Sequence, residues 1–495
     1  MLNTTDILLD CDGYKLGHRK MLRTKTTRIL SNFTARSSRI EDQTWTFSIG
    51  QQLYIKKYLE DAFEEFFSTS REQLTEILND FTAEINDYLG PDQQIGEDHI
   101  LKLWNLGYIP LQISALPEGT KVPLRVPNTL VENTHDDFAW LVNYFESLMS
   151  SVLWPIQTSA TTAYRFRKIL EDYAGYTGSP KEFVGWQGHD FSFRGMMGPE
   201  AAALSGVGHL LMFEGTDTIP AIREIRRYYG APKGHMIGGS VSATEHMIQC
   251  LGTKEGEFDT YKRLLDTNPT GVLSIVSDTW DLWNVLTNFM PQLRDQIMSR
   301  NGKLVIRPDS GDPEKIICGD PSYPVDSPAH KGVVRLLWDV FGGTTTSTGY
   351  KLLDSHVGAI YGDSITESRL ESILYRLHTN GFASANMVFG VGSFTYQYVT
   401  RDTYGFAMKA TWAMVDGQGV DMFKDPITDD GTKKSAKGRL AVVMGKHNLV
   451  LINQATPEQE AISLLRPIWR NGKFLVTETF DVIRARARVP VEYDR

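Results

Sequence analysis

Between about residue 184 and residue 393 the chain repeats one pattern, and this pattern limits the possible folds more than any other feature. A short apolar or β-branched run ends in a polar, often charged, residue, and a helical pattern usually follows. The instances are GWQGHDFSFR, HLLMFEGTD, HMIGGSVSATEH, VLSIVSD, KLVIRPDSGD, VGAIYGDS and NMVFGVGS. Strand-then-helix units in series predict a parallel sheet, because parallel strands need a crossover connection.

The number of these units favours closure of the sheet into an incomplete or irregular (β/α) barrel. A doubly wound open sheet is the alternative. In a barrel of this class the active site lies on the face where the strands end. The polar residues expected on that face are Asp190, Arg194, Asp217, Ser240, Asp278, Arg307, Asp309 and Asp363.

The regions on either side of the repeats differ from them. Residues 51–67 have apolar residues at helical spacing, and residues 111–133 resemble β-hairpins broken by turn residues. After about residue 400 a polar, basic loop precedes the strand-like runs GRLAVVMG, HNLVLIN and NGKFLVTETF. Because 495 residues exceed what one core usually holds, we predict three segments. These are a mixed α/β domain over 1–150, a catalytic barrel over 151–400, and a segment over 401–495 that packs back on the N-terminal domain and a dimer interface.

Composition excludes several classes of protein. The net charge of −9 disfavours binding of a nucleic-acid backbone. No run approaches the roughly 20 apolar residues that span a bilayer, and early acidic residues argue against an export signal. The three cysteines form no CxxC pair, which indicates reduced thiols and no zinc site. We therefore expect a cytoplasmic protein without nucleic-acid or membrane partners.

The segment around Arg307 suggests an anion site. The run Leu304–Ile306 predicts a buried strand, and Pro308 ends it. A guanidinium at a strand end can hold a phosphate or carboxylate through two hydrogen bonds, and Asp309 can hold ribose hydroxyls or a metal-bound water. A structural Arg–Asp pair at a tight turn is the alternative.

The segment from Ser242 to His246 predicts the start of a helix. Ser242 followed by Glu245 fits a capping box. His246 would lie near the helix start, where it could act as a base or nucleophile oriented by Glu245 or Asp278. A purely structural histidine is the alternative.

Positive charge clusters near the C-terminus, and it indicates either a solvated basic face or an anion site. The members are Arg401, Lys409, Lys424, Lys433, Lys434, Lys437 and Arg439. The acidic pair Asp429–Asp430 within the same region follows polar residues rather than a strand, so we interpret it as a solvated loop. The GxxxxGK[ST] and HExxH motifs are absent.

With these residues assembled, the chain resembles the nicotinamide phosphoribosyltransferases of the nicotinate/nicotinamide phosphoribosyltransferase family, which have the type II phosphoribosyltransferase barrel fold. The matching motifs occur in order along nearly the whole chain. They include DxYKxxH at 12–18, PEG at 117–119, HDFxxRG at 189–195, FxGTDT at 213–218, SVxAxEH at 240–246, VSDxxD at 276–281, IRPDSG at 306–311, GYKLL at 349–353, TRD at 400–402 and KGRL at 437–440.

The resemblance implies an activity and an assembly. The family transfers phosphoribosyl from 5-phosphoribosyl 1-diphosphate (PRPP) to nicotinamide, giving nicotinamide mononucleotide and diphosphate in NAD salvage. Mg²⁺ assists, and ATP hydrolysis through a transient phosphohistidine improves the reaction. Members form homodimers with shared active sites. The sister activity on nicotinate, and a non-catalytic nucleotide-binding protein of the same fold, are the alternatives.

The resemblance also implies roles for the residues that bind the base and the sugar. Phe191 stacks on one face of the pyridine ring, and Tyr14 of the partner subunit covers the other face. Asp217 accepts a hydrogen bond from the carboxamide, and a carboxylate there would repel nicotinate. The remaining substrate-binding positions are Asp12, Arg194, Ser240, Val241, Arg307, Asp309, Gly362 and Asp363.

Phosphate groups are implied at other positions. Gly392 and Ser393 form the 5′-phosphate loop, and His246 is the phosphorylated residue, with Glu245, Asp278 and Asp309 as further catalytic residues. The residues expected to bind diphosphate or ATP are Arg36, Arg401, Lys409 and Lys424. The chain departs from the family at Ser393, Ala407 and Ser242, where a glycine, a serine and a proline are usual. The first two departures affect the expected phosphate affinity, and the third affects helix entry.

Overall fold

The computed structural model describes residues 4–90, 95–362, 364–424 and 435–489. The chain divides into two compact units. The first unit comprises Met1–Thr158, Glu224–Lys233 and Val399–Arg495, and the second comprises Ser159–Arg223 and Gly234–Tyr398. Within the described ranges, no helix combines the length and the apolar character that crossing a membrane requires.

The second unit is built on a seven-stranded sheet whose strands all pair in parallel. Numbered along the chain, the strands are β1 Gly188–Asp190, β2 Gly215–Thr216, β3 Ser242–Ala243, β4 Thr270–Val276, β5 Asn301–Arg307, β6 Val357–Tyr361 and β7 Met387–Val391.

The order β2-β1-β7-β6-β5-β4-β3 places strands that follow each other in the chain side by side, apart from the β1–β7 pair. A parallel bridge between Gly215 and Gly239 links the two edges of this order. The sheet therefore curls into an irregular barrel, and the predicted barrel, rather than the open sheet, is confirmed.

The strands are the predicted apolar runs with one exception. All five residues of β6 are buried, as expected when a parallel sheet is covered on both faces. The run HLLM, by contrast, ends the helix Pro199–Met212, and only Gly215–Thr216 forms a strand. Residues 202–212 of that helix are buried on every side, so they lack the 3.6-residue periodicity that distinguishes a surface helix from a strand.

Helices connect the barrel strands. In Glu367–Thr379, Thr366 caps the first turn through Arg369 N, and Leu370, Ile373, Leu374 and Leu377 are buried, as predicted. The other helices and helical turns are Lys181–Phe183, Val184–Gln187, Phe193–Gly195, Ile219–Tyr228, His246–Leu251, Glu257–Thr267, Leu282–Asn284, Val285–Phe289, Met290–Met298, Pro313–Cys318, Pro328–Phe341, Ser384–Asn386 and Ser393–Tyr396. A small antiparallel ribbon joins Gly343–Thr345 to Lys351–Leu353.

The predicted capping box at Ser242 is wrong. Ser242 and Ala243 form β3 and pair with Leu273 and Ser274 of β4. The helix begins later, at His246, and the residue before it makes no side-chain cap. The sheet ladder thus takes up the backbone that a capping serine would have used.

The first unit contains a seven-stranded sheet in which all neighbours pair antiparallel. In spatial order its strands are Gln418–Asp421, Ala407–Val415, Thr26–Thr34, Pro127–Asn133, Leu111–Ala115, Arg466–Arg470 and Lys473–Phe474. Strands from the C-terminal segment flank the N-terminal strands on both sides. The N-terminal α/β fold is therefore completed by the C-terminal segment, as predicted.

Two small ribbons accompany this sheet. Trp45–Ser48 pairs with Thr120–Pro123, and Leu440–Met444 pairs with Leu449–Asn453. The region 111–133 is thus not a series of adjacent hairpins, because its middle strand leaves the sheet for a partner nearer the N-terminus. The strand-like runs at the C-terminus form strands, although NGKFLVTETF contributes only Lys473–Phe474.

Helices of the first unit include the predicted segment at 51–67, which forms one run of three pieces. Arg71–Leu89 starts with a capping box in which Ser70 and Gln73 bond each other's backbone amides. The remaining bounds are Thr4–Leu9, Gly13–Gly17, His18–Met21, Gln51–Tyr54, Ile55–Asp61, Ala62–Ser68, Asp98–Leu106, Asp136–Phe138, Leu141–Tyr144, Arg401–Thr403, Pro457–Ala461 and Phe480–Ala487. The long helix Glu146–Thr177 begins in the first unit and continues into the second, which starts at Ser159.

Candidate functional site

A cavity of about 380 Å³ lies in the second unit. Five residues singled out from the sequence line it: Phe191, Asp217, Ser240, Val241 and Arg307. They come from or directly follow strands β1, β2 and β5, or precede β3, and the barrel gathers these positions because its strands are parallel. We call this space the ring cavity.

The ring cavity also has walls that the sequence did not single out. Most are apolar or aromatic residues that point inward from the strands or precede β1, and Lys303 adds a second cation. They are Phe183, Trp186, His189, Gly239, Ala243, Val272, Ser274, Lys303, Val305, Ile360 and Val388. Alternation along β5, which turns Lys303, Val305 and Arg307 to one side, is the signal that could have identified part of this set.

Asp217 is held as an anion at the edge of the ring cavity. His189 Nε2 lies 3.3 Å from Asp217 Oδ1. Burial raises the pKa of Asp217, but hydrogen bonds from His189 and Ser240 and the charge of Arg307 outweigh it, so the pKa lies below its usual value. The cavity therefore presents an ionised hydrogen-bond acceptor.

Phe191 forms an aromatic wall whose position depends on a glycine. Its backbone N–H donates to Val391 O at 3.0 Å, and its ring lies 4.5 Å from that of His189. A Cβ atom on Gly390 would lie 2.7 Å from Phe191 Cδ2. A side chain at position 390 would therefore displace the ring.

Arg307 and Asp309 adjoin each other beyond the end of β5. Arg307 Nε is buried and has no hydrogen-bond acceptor within the part of the chain that the structure describes, which leaves a charged donor for a ligand. A Cβ on Gly362 would lie 2.5 Å from Asp309 Oδ1 and 3.6 Å from Arg307 Cδ. Glycine at 362 thus makes room for both side chains, while Asp363 lies outside the described residues.

Asp278 holds the loop that carries Asp309. Its Oδ2 accepts hydrogen bonds from Asp309 N at 2.9 Å and from Ser310 Oγ at 2.5 Å. The carboxylate therefore fixes the turn after β5, and the structure does not place it on His246 as the sequence predicted.

His246 has different neighbours from those expected. Its Nδ1 lies 3.1 Å from Thr279 Oγ1, and its Nε2 lies 3.9 Å from Asp309 Oδ2. Across the described ranges, neither Glu245 nor Asp278 hydrogen-bonds the imidazole. Thr279 was missed because a single threonine carries no pattern, although its place directly after Asp278 at the end of β4 was a usable signal.

Arg194 and Ser393 belong to adjoining loops. Arg194 is exposed in the turn Phe193–Gly195, and a Cβ on Gly195 would lie 2.0 Å from Ser393 Oγ. Gly392 precedes the short helix Ser393–Tyr396 and accepts from Thr395 N at 3.1 Å. The predicted phosphate loop therefore lies next to the loop after β1.

The first unit holds a separate group of cations, here called the cationic cluster and defined as Arg36, Arg401 and Lys409. Burial lowers the pKa of Lys409, and Arg36 and Arg401 lower it further, whereas Glu146 raises it. Burial and Arg401 likewise lower the pKa of Arg36. Like charges that destabilise each other in this way favour an anionic ligand. Lys424 is exposed and is not among the charges that shift the pKa of Lys409.

Tyr14 and Asp12 lie in the same unit. Tyr14 is 63% exposed, and its hydroxyl donates to Asp12 Oδ2 at 3.3 Å. Ser147 Oγ donates to the same oxygen at 2.5 Å. Arg401 is among the charges that affect the pKa of Tyr14, so this exposed aromatic ring adjoins the cationic cluster.

Direct metal ligands are few. No group of three or more His, Cys, Asp or Glu side chains that could hold a metal ion occurs in residues 4–90, 95–362, 364–424 and 435–489. A divalent cation bound mainly through the phosphates of a substrate, with water and one carboxylate, fits this arrangement.

Known proteins share both the sequence and the fold. The model of the "Nicotinate phosphoribosyltransferase (NAPRTase) family" matches residues 186–473. The chain is 45% identical over 494 residues to nicotinamide phosphoribosyltransferase of Acinetobacter baylyi, covering 97% of both chains. It is 36% identical over 450 residues to the protein of the same name from Mycoplasma pneumoniae, covering 87% of this chain and 94% of that one.

Solved structures agree at the level of the fold. The crystal structure of nicotinate-nucleotide pyrophosphorylase from Pyrococcus furiosus superposes with a TM-score of 0.60 at 15% identity, covering 98% of this chain and 96% of the other. Human nicotinic acid phosphoribosyltransferase superposes with a TM-score of 0.56 at 15% identity, covering 98% and 95%. The chain therefore belongs to the nicotinate phosphoribosyltransferase (NAPRTase) family.

Proposed function

We propose that this protein transfers the phosphoribosyl group of PRPP to nicotinamide, releasing nicotinamide mononucleotide and diphosphate for NAD salvage. One observation carries the proposal: the ring cavity combines the aromatic wall of Phe191, the ionised Asp217 and Arg307, whose Nε–H has no acceptor among the described residues. Relatives that match this chain over most of its length bear the name nicotinamide phosphoribosyltransferase.

Asp217 favours the amide over the acid. Its carboxylate can accept a hydrogen bond from the carboxamide NH₂ of nicotinamide. The carboxylate of nicotinate would instead meet a like charge in a partly buried site, which disfavours its binding.

The chemistry needs positioning and charge stabilisation but no base. The ring nitrogen of nicotinamide forms a bond to ribose C1 with its lone pair, and the C1–O bond breaks with its electron pair going to diphosphate. Phe191 orients the neutral ring, and Asp309 and Gly362 lie beside Arg307, where they can serve the ribose. Mg²⁺, when bound with the diphosphate, neutralises part of the leaving charge.

Two features of the first unit suit the ligands of the proposed reaction. The mutual repulsion within the cationic cluster would be relieved by a diphosphate or by ATP. The exposed Tyr14 ring suits stacking on a pyridine held by a second subunit. A homodimer with shared sites is therefore part of the proposal.

In the proposal, ATP acts on the reaction by phosphorylating His246. We assign to it a transient phosphohistidine, formed when an imidazole nitrogen attacks the γ-phosphorus and ADP leaves with the electron pair of the broken P–O bond. The half-exposed imidazole beside Asp309 is compatible with this role, because the carboxylate can stabilise an imidazolium.

The test measures product formation by purified protein with PRPP and Mg²⁺, using nicotinamide and nicotinate in parallel. We expect nicotinamide mononucleotide to form and nicotinamide to have the higher kcat/KM. A faster reaction with nicotinate would establish the sister activity instead, and no product from either base would point to a non-catalytic nucleotide-binding protein.

A second measurement isolates the ATP step. The ratio of rates with and without ATP should exceed one in the wild type and fall to about one in His246→Ala. A wild-type ratio of one would remove the phosphohistidine from the proposal without affecting the transferase activity.

A further inference from the structure

We propose that Thr279 is a positioning residue for the ATP-dependent step, and that its hydroxyl holds the His246 imidazole in the orientation that accepts the phosphoryl group. This inference rests on the proposed phosphohistidine. It assigns to Thr279 the orienting role that the sequence had suggested for Glu245 and Asp278.

The geometry around His246 leaves the ring few supports. The imidazole is at the first residue of a short helix, and its side chain is 47% exposed. Thr279 Oγ1, at 3.1 Å from Nδ1, is the hydrogen-bonding neighbour that the described part of the chain gives this ring. A half-exposed ring with one support would occupy several rotamers without it.

Thr279 is held in place by more of its surroundings than the His246 side chain is. Thr279 is half-buried and follows directly after Asp278, whose carboxylate bonds Asp309 N and Ser310 Oγ. Thr279 therefore lies three residues after the end of β4, in a segment that Asp278 ties to the loop after β5. A hydroxyl group fixed in this way can restrict the half-exposed ring to one orientation.

The two ring nitrogens have different surroundings, and we assign the tautomer from them. Asp309 Oδ2 faces Nε2 at 3.9 Å, and a nearby carboxylate favours a proton on that nitrogen. Nδ1 then carries the lone pair, and the Thr279 hydroxyl donates to it. During phosphorylation the Nδ1 lone pair forms the N–P bond, the P–O bond breaks toward ADP, and the Nε2 proton stays beside Asp309.

When Nδ1 attacks, the hydroxyl loses its acceptor and can donate to an oxygen of the transferring phosphoryl group. Thr279 thus supports the ring before the transfer and the phosphoryl group during it. A valine has nearly the same shape but no hydroxyl, whereas a serine keeps the hydroxyl.

The experiment compares Thr279→Val and Thr279→Ser with the wild type. The readouts are the ratio of synthesis rates with and without ATP, and the acid-labile phosphate bound per subunit after ATP addition. We expect Thr279→Val to lower the initial rate of phosphohistidine formation and the ATP gain by about fivefold, the typical effect of one hydrogen bond. Thr279→Ser should restore most of both.

Thr244→Val is the matched control. Thr244 lies two residues before His246, but its hydroxyl accepts from Val276 N at 3.0 Å, whereas the hydroxyl at the His246 ring is that of Thr279. This variant should lower the melting temperature while keeping the ATP gain, which separates loss of local stability from loss of the imidazole contact.

Two outcomes would overturn the inference in distinguishable ways. If the wild type gains from ATP and Thr279→Val gains equally, or if Thr279→Ser fails as Thr279→Val does, the hydroxyl has no positioning role. If the wild type itself forms no phosphohistidine, the proposed ATP step fails and this inference fails with it.

Discussion

The ring cavity and the cationic cluster offer different interactions to a ligand, although both are proposed to serve one substrate pair. The cavity is largely apolar and contains one ionised acceptor, Asp217, whose charge is stabilised by its neighbours. The cluster consists of like charges: burial and Arg401 lower the pKa of Arg36, and burial, Arg36 and Arg401 lower the pKa of Lys409. In the proposed function, the ring cavity discriminates between neutral and charged bases, and the cationic cluster attracts a polyphosphate.

The two regions also differ in how the chain builds them. The ring cavity gathers residues from successive strand ends of a parallel sheet. The cationic cluster brings Arg36, which follows the strand Thr26–Thr34, near Arg401 and Lys409 through antiparallel pairing of that strand with Ala407–Val415. Screening by salt should therefore affect the exposed members of the cluster more than the cavity.

The largest effect is expected for Arg307→Ala. Removing a guanidinium whose buried Nε–H has no acceptor among the described residues should lower kcat/KM for PRPP by about 10–150-fold, since a hydrogen bond to a charged group contributes about 1.5–3 kcal/mol. Because this part of the site is buried, the loss should be similar at low and high ionic strength. Arg335→Ala, which breaks only the surface pair with Asp339, is the control. A loss confined to low ionic strength would place Arg307 with the screened cations instead.

Asp217→Asn should have the next largest effect. The amide retains the shape but loses the charge, so kcat/KM for nicotinamide should fall by about 10-fold while that for nicotinate is maintained or rises. The ratio of the two kcat/KM values is the measurement, with Asp339→Asn as a surface control. An unchanged ratio would mean that selectivity arises elsewhere in the cavity.

The barrel could be predicted because each β–α unit has a recognisable pattern within its own short stretch of sequence. Apolar runs such as Leu304–Ile306 end in charged residues, and the parallel topology then forces those residues onto one face. The prediction failed where burial hid periodicity, as in the helix Pro199–Met212. It failed again at Ser242, where sheet pairing overrode a capping pattern.

The residues of the candidate site likewise divide into those that the sequence could identify and those that it could not. Asp217, Arg307 and Asp309 stand out in the sequence as charges after strands. Lys303 and Thr279 stand out less, because their only signals are alternation with Arg307 along β5 and a place directly after Asp278. Arg36 could be named only from the resemblance, since its approach to Lys409 depends on pairing between strands almost 400 residues apart in the chain.

A smaller effect is expected for Gly362→Ala. The added Cβ would lie 2.5 Å from Asp309 Oδ1, so the carboxylate must move, and kcat should fall by about threefold. Gly175→Ala is the matched control, because its added methyl group would have nothing within 4 Å and the residue sits in a helix, where alanine is favoured. Equal kinetics for both variants would show that Asp309 tolerates displacement.

The smallest effect at neutral pH is expected for Lys409→Arg, which keeps the charge. In the wild type, burial and neighbouring cations hold the pKa of Lys409 below its usual value. In the proposed function the protonated form of Lys409 binds diphosphate, so this contribution is complete below the lowered pKa and is lost as the pH rises through it. KM for PRPP should therefore rise at a lower pH than an ordinary lysine would allow.

Arginine stays protonated over the whole accessible range, so Lys409→Arg should flatten the alkaline rise in KM while changing KM by less than about twofold near neutral pH. The measurement is kcat/KM for PRPP against pH, which reports groups of the free enzyme. Parallel profiles for the two proteins would assign the alkaline limb to another group. The selectivity for nicotinamide should stay constant over the same pH range, because Asp217 remains ionised throughout. A flattened alkaline rise in KM together with constant selectivity would show that PRPP binding and base selectivity depend on different groups.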